Sequence, residues 1–213
     1  LPSFPTRRSS DLVFTRLHAG GKFTKGNDSA YAFSGGLHGV GVSVTNALSK
    51  RIEVDVWRDR KAHHIVFADG DVSEPLTSRP LGRGEKKSGT KVSVWPDAKY
   101  FDSLTIPLPE LKHLLKSKAI LLPGVHVELK NAKTGETETW QYQDGLRSYL
   151  EQALDLPDGE ETVIPLFEGE HYADRENEGF AEGEGAAWVV AWTAEGPPVR
   201  ESFVNLIPTP AGG

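Results

Sequence analysis

The sequence predicts an α+β fold, with mixed or antiparallel sheet and helices on one face. Three observations carry this. Alternating apolar and polar runs come in pairs around short turns, as in Ile52–Trp57 followed by His64–Phe67. Helical patterns are interspersed, but without the regular strand–helix–strand order that a parallel sheet requires. The 213 residues are 38% hydrophobic and 25% charged, an ordinary globular balance with room for one large or two small domains.

Taken in order, residues 1–12 (LPSFPTRRSSDL) differ in composition from the rest of the chain and read as a leader foreign to the fold. Val13–Leu17 reads as the end of a helix. Residues 18–36, HAGGKFTKGNDSAYAFSGG, form a loop long enough to be functional or disordered, and it is expected to be mobile without ligand. Val40, Val44, Ala47 and Leu48 recur at helical spacing. Ile52–Trp57 is a strand with one wet face, Arg58–Lys61 a turn, His64–Phe67 the return strand, and Asp69-Gly70 a second turn. Residues 88–96, SGTKVSVWP, make a strand with Thr90, Val92 and Val94 on one face. Leu111, Leu114, Leu115 and Ala119 mark an amphipathic helix. GVHVELK and ETETWQY flank a turn at Asn131–Gly135. DGLRSYLEQAL is a helix with Asp144 as candidate N-cap. Strands follow at Val163–Phe167, Ala187–Trp192 and Ser202–Ile207. The weakest seam lies near Gln141–Gly145, dividing the chain into 13–141 and 142–213.

Composition excludes several classes. No cysteine means no disulfide and no thiolate metal site. No run is long and apolar enough for a membrane span, and the N-terminus lacks the apolar core of a signal peptide. The expectation is a soluble cytoplasmic protein with no membrane partner. The absence of methionine makes the chain read as an internal piece of a longer one. Net charge is −6, which argues against a nucleic-acid surface on this chain. All of that charge resides in residues 168–185, EGEHYADRENEGFAEGEG, with seven acids and one arginine. This stretch reads as a solvated mobile loop, because its acids lack the spacing of a calcium loop.

The stretch that points to chemistry is GGLHGVGVSVTNALS, residues 35–49. A P-loop would need Lys directly after the second glycine, but Val42 and Ser43 follow Gly41, so the Lys is missing. The dinucleotide fingerprint would need a strand before it and a third glycine at Val44. The pattern present is G-x-x-G-x-G, at Gly36, Gly39 and Gly41. Two readings stay open on the residues alone. Glycines let backbone approach phosphate oxygens, and a helix starting near Val42 would aim N–H groups at them. Alternatively, the turn only packs tightly.

LHAGGKF, FSGGLHGVGVSVTNALS, SGTKVSVWPD, YQDGLRSYL and SFVNLIPTPAGG together resemble the ATPase region of the bacterial type IIA topoisomerase B subunits. That family shares the GHKL (Bergerat) ATP-binding fold with Hsp90, MutL and histidine kinases. The resemblance covers Val13–Gly213, and NLIPT and YQDGL favour the topoisomerase IV branch over the gyrase branch. It implies a partial GHKL sandwich over 13–141, then the start of an α+β transducer domain, ribosomal S5 domain 2-like, from about 142. It implies ATP and Mg²⁺ as cofactors. By the resemblance, Gly36, Leu37, His38, Gly39, Val40, Gly41 and Val42 hold the triphosphate through backbone amides. Lys22 approaches the phosphates, Tyr31 lies near the adenine, and Thr90 reaches the base. Ala32 stands where gyrase-like members often carry lysine. The family's general-base glutamate, Mg²⁺-holding asparagine and D-x-G-x-G aspartate have no match here and are expected upstream of Val13. Its catalytic-loop lysine is expected beyond Gly213. No catalytic or metal residue is therefore assigned between Val13 and Gly213. The implied partners are DNA through other regions, an A-type subunit in a heterotetramer, and a second B subunit on ATP binding.

Overall fold

The computed structural model describes residues 40–155, 164–173, 184–194 and 196–209. The expected helix end at Val13–Leu17 and the loop at 18–36 lie outside these residues. The chain divides into two compact units, Leu1–Ile106 and Pro107–Gly213.

In the first unit a short helix α1 (Gly41–Ala47) leads into β1 (Ser49–Arg58), β2 (Lys61–Ala68), β3 (Asp71–Pro80) and β4 (Gly89–Pro96). All pairings are antiparallel and the order is β3-β2-β1-β4. Register follows the apolar alternation. Ile52 stands opposite Phe67 and Val94, and Val54 opposite Ile65 and Val92. Directly opposed residues share a face, so Thr90, which pairs with Val56, shares its face with Val92 and Val94, as the alternation implied. Ile52, Val54, Ile65 and Phe67 are buried there, with Val56 and Leu76 against them. Two-residue turns at Asp59-Arg60 and Asp69-Gly70 have positive φ at every position, the conformation that matches the twist of paired strands. α1 is tied to the second turn, where the Asn46 side-chain amide donates to the Gly70 carbonyl at 2.8 Å.

The sequence reading missed β3. Its residues, DVSEPLTSRP, are mostly polar and exposed, and among the described residues the strand lies at a sheet edge. Pro75 is tolerated at a register shift in its pairing with β2, as edge strands allow.

The second unit holds α2 (Leu108–Leu121), the hairpin β5 (Val127–Lys130) and β6 (Thr137–Trp140), then α3 (Leu146–Ala153). It continues with the pair β7 (Leu166–Tyr172) and β8 (Gly185–Ala191) and a small hairpin, β9 (Phe203–Val204) and β10 (Ile207–Pro208). Its core is Ala119, Ile120, Tyr142 and Tyr149, with Val127, Trp140, Leu146 and Phe203 packed around them. The Tyr142 and Tyr149 rings meet edge to face at 5.8 Å, a favoured aromatic geometry. The Tyr149 hydroxyl donates to Glu201 at 3.2 Å, and the Lys118 ammonium donates to the Leu206 carbonyl. Residues on both sides of the 141–142 seam share this one core, and the break in compactness falls at 106–107.

Three further local readings change. Asp144 does not cap α3: Gly145 occupies the N-cap position without a side-chain bond. The Asp144 backbone N–H instead meets the Ser148 hydroxyl at 3.0 Å. Ser202–Ile207 is not one strand but a hairpin, turning at Asn205 and Leu206 with φ of 47° and 73°. The acidic stretch is not loop throughout. Glu168–Tyr172 belong to β7, and Glu168 accepts from Arg147 at 3.0 Å.

Candidate functional site

The described part of the glycine motif is its last turn. Val40 occupies the N-cap position of α1 with no side-chain capping bond, and the first turn contains no acid. The neighbouring hydroxyls turn back to carbonyls: Ser43 donates to Val40 at 3.0 Å and Thr45 to Gly41 at 2.8 Å. Among the described residues no side chain therefore caps the leading amides of the helix, the groups an anion would take. A Cβ placed on Gly41 would meet nothing within 4 Å. The tight-packing reading requires a close neighbour at Gly41, and the described residues supply none. Val42 is exposed beside it. Lys22, Tyr31, Gly36, Leu37, His38 and Gly39 lie outside the described residues.

Thr90 is the second residue of β4, opposite Val56 near the end of β1, whereas α1 enters β1 at Ser49. Seven residues of strand separate these levels, about 23 Å. Thr90 is exposed and lines an open groove of about 580 Å³, together with Trp57, Glu85, Lys86, Ser88 and Val92. The groove therefore offers hydroxyls, a flat indole, an apolar wall at Val92 and cations at its margin. One wall is held by a paired clamp: Arg79 Nη1 and Nη2 donate to Glu85 Oε2 and Oε1 at 2.7 and 2.6 Å. Glu85 also accepts the Gly82 backbone N–H. The Arg79 guanidinium first, and that N–H second, hold the Glu85 carboxyl down at about 2. Sequence reasoning missed this clamp. Its only trace is a cation and an acid six residues apart, across a stretch with two glycines.

The fit to the implied cofactors is uneven. An uncapped helix start without acids and an open groove at Thr90 suit an anionic nucleotide. Among the described residues there is no group of three or more His, Cys, Asp or Glu placed to hold a metal ion.

No protein-family model matches the chain. It is 45% identical over 207 residues to the B subunit of DNA topoisomerase 4 from Pseudomonas aeruginosa, covering 95% of this chain and 30% of that protein. It is 43% identical over 209 residues to the B subunit of DNA topoisomerase 4 from Escherichia coli K12, with the same coverage. Among solved structures it is similar to the topoisomerase IV ATP-binding domain of Francisella tularensis in complex with a small-molecule inhibitor. The TM-score is 0.62 at 34% identity, over 94% of this chain and 48% of that one. It is also similar to the 43K ATPase domain of Thermus thermophilus gyrase B in complex with an aminocoumarin. There the TM-score is 0.63 at 25% identity, over 93% and 46% of the two chains. The chain thus belongs to the ATPase regions of the bacterial type IIA topoisomerase B subunits, with the GHKL α+β fold. The two curated relatives above are topoisomerase IV B subunits, and the chain spans about 30% of their length.

Proposed function

We propose that the chain is the ATP-binding part of a topoisomerase IV B subunit. In that role it couples ATP binding and hydrolysis to DNA strand passage, decatenation and relaxation. The observation that carries the reading is the 45% identity sustained over 207 residues, through both compact units. Backbone amides of Gly36–Val42 receive the triphosphate, with Lys22 beside it and Leu37 and His38 shaping the loop. Tyr31 and Thr90 meet the base. Bound ATP supplies the phosphoryl group whose hydrolysis resets the enzyme. Mg²⁺ is held by groups outside the described residues. The partners are DNA, reached through other regions, an A-type subunit in a heterotetramer, and a second B subunit that joins when ATP binds. Residues 13–141 act as the nucleotide domain and 142–213 as the start of the transducer. No helix among the described residues is long and apolar enough to cross a membrane, and the proposed location is the cytoplasm.

The gyrase B reading stays as the alternative, because the backbone fits the two solved ATPase domains equally well, with TM-scores of 0.62 and 0.63. The full-length chain assayed with its A-type partner separates them. Topoisomerase IV predicts ATP-dependent unlinking of catenated circles and no introduction of negative supercoils. Supercoiling activity selects gyrase, and neither activity rejects both. Gly39→Val in the same chain is expected to abolish ATP binding with the fold retained. Unchanged affinity would mean that the glycine loop only packs.

A further inference from the structure

The connection from β3 to β4 has a mechanical problem that Arg79 and Glu85 solve. β3 and β4 occupy opposite edges of the four-stranded sheet. Residues 81–88 must cross three strand spacings, about 14 Å. Eight extended residues can span about 27 Å, so the loop has slack, and Gly82 and Gly84 add freedom. Two contacts remove it. The Leu81 N–H donates to the Arg60 carbonyl at 3.0 Å, pinning the loop's start to the β1–β2 turn. The Arg79–Glu85 clamp then folds residues 79–85 back on themselves. Residues 86–88 complete the path to Gly89, bending at 87–88. Glu85, Lys86 and Ser88 stand along the Thr90 groove.

We propose that Arg79 and Glu85 are positioning residues for the nucleotide. By closing the loop they fix Lys86 and Ser88 against Thr90, so that the groove is preformed for the base end of ATP. This rests on the ATP-binding reading above. Two parallel hydrogen bonds between charged planar groups give the clamp a direction as well as strength. A preformed groove spares the ligand the ordering of a loop.

The test measures binding of a non-hydrolysable ATP analogue, and separately of inorganic tripolyphosphate, to the full-length chain. Wild type is compared with Glu85→Gln and with the swapped pair Arg79→Glu plus Glu85→Arg. The expected result is about tenfold weaker analogue binding for Glu85→Gln, unchanged tripolyphosphate binding, and recovery of analogue affinity in the swap. A purely structural role would move both ligands together. Unchanged analogue affinity in Glu85→Gln, an equal loss for tripolyphosphate, or a swap no better than Glu85→Gln overturns the proposal while leaving ATP binding intact. Wild type that binds neither ligand removes the functional reading itself, and the proposal with it.

Discussion

Gly145 lies between β6 and α3 at φ +57°, where side chains are disfavoured. A Cβ there would sit 3.0 Å from the Ile120 carbonyl oxygen and 3.1 Å from Pro123 Cγ. Backbone strain and contact act together, so Gly145→Ala is expected to destabilise by about 1–3 kcal/mol. A lowered urea midpoint at constant slope checks this; an unchanged midpoint would show that the neighbours give way. Glu85 makes a second prediction at this scale. Its folded pKa, about 2, lies below its ordinary value. The clamp's contribution is therefore complete above the ordinary carboxylate range and is lost as pH falls through about 2. A carboxyl NMR titration should show that midpoint, and Arg79→Ala should raise it toward about 4.3. A midpoint near 4 in the unchanged protein would mean that the clamp does not form in solution.

Elements differ in how well the sequence announced them. β1, β2 and β4 were legible because one face of each is apolar and the register keeps those faces together. β3 was not, because an edge strand with few buried side chains carries no alternation. The β9–β10 hairpin hid for a different reason: its turn uses Asn205 and Leu206 at positive φ, without the glycine that normally signals such a turn. Of the candidate site, the glycine motif stands out as a local pattern, whereas Thr90 on its own reads as an ordinary strand residue and was singled out only by the family resemblance. The Arg79–Glu85 clamp could not be found from the sequence, because its meaning depends on β3 and β4 lying at opposite edges. α3 offers a test at this scale. Tyr149 is buried, stacks edge to face on Tyr142 and bonds to Glu201. Tyr149→Phe keeps the ring and should cost about 1 kcal/mol, whereas Tyr149→Ala empties the core and should cost about 3–5 kcal/mol. Equal losses in thermal unfolding would mean that the hydrogen bond, not the ring, holds α3.

For the molecule as a whole, charge decides what it will not grip. The net charge of −6 predicts weak binding of duplex DNA by this chain near physiological salt. Fluorescence anisotropy with a labelled duplex checks it, and tight binding with a steep salt slope would reveal an unrecognised basic surface. The sheet of the first unit carries a practical consequence as well. Among the described residues β4 has a neighbour on one side only, and Val92 and Val94 on it are about half exposed. A strand of that kind is a seed on which another molecule's strand can add. Lys91 places a charge along the seed, and Pro96 withholds a donor at its end. Those two residues act as brakes on precipitation. Salt weakens only the first of them, so the protein should cloud from concentrated brine sooner than from dilute buffer.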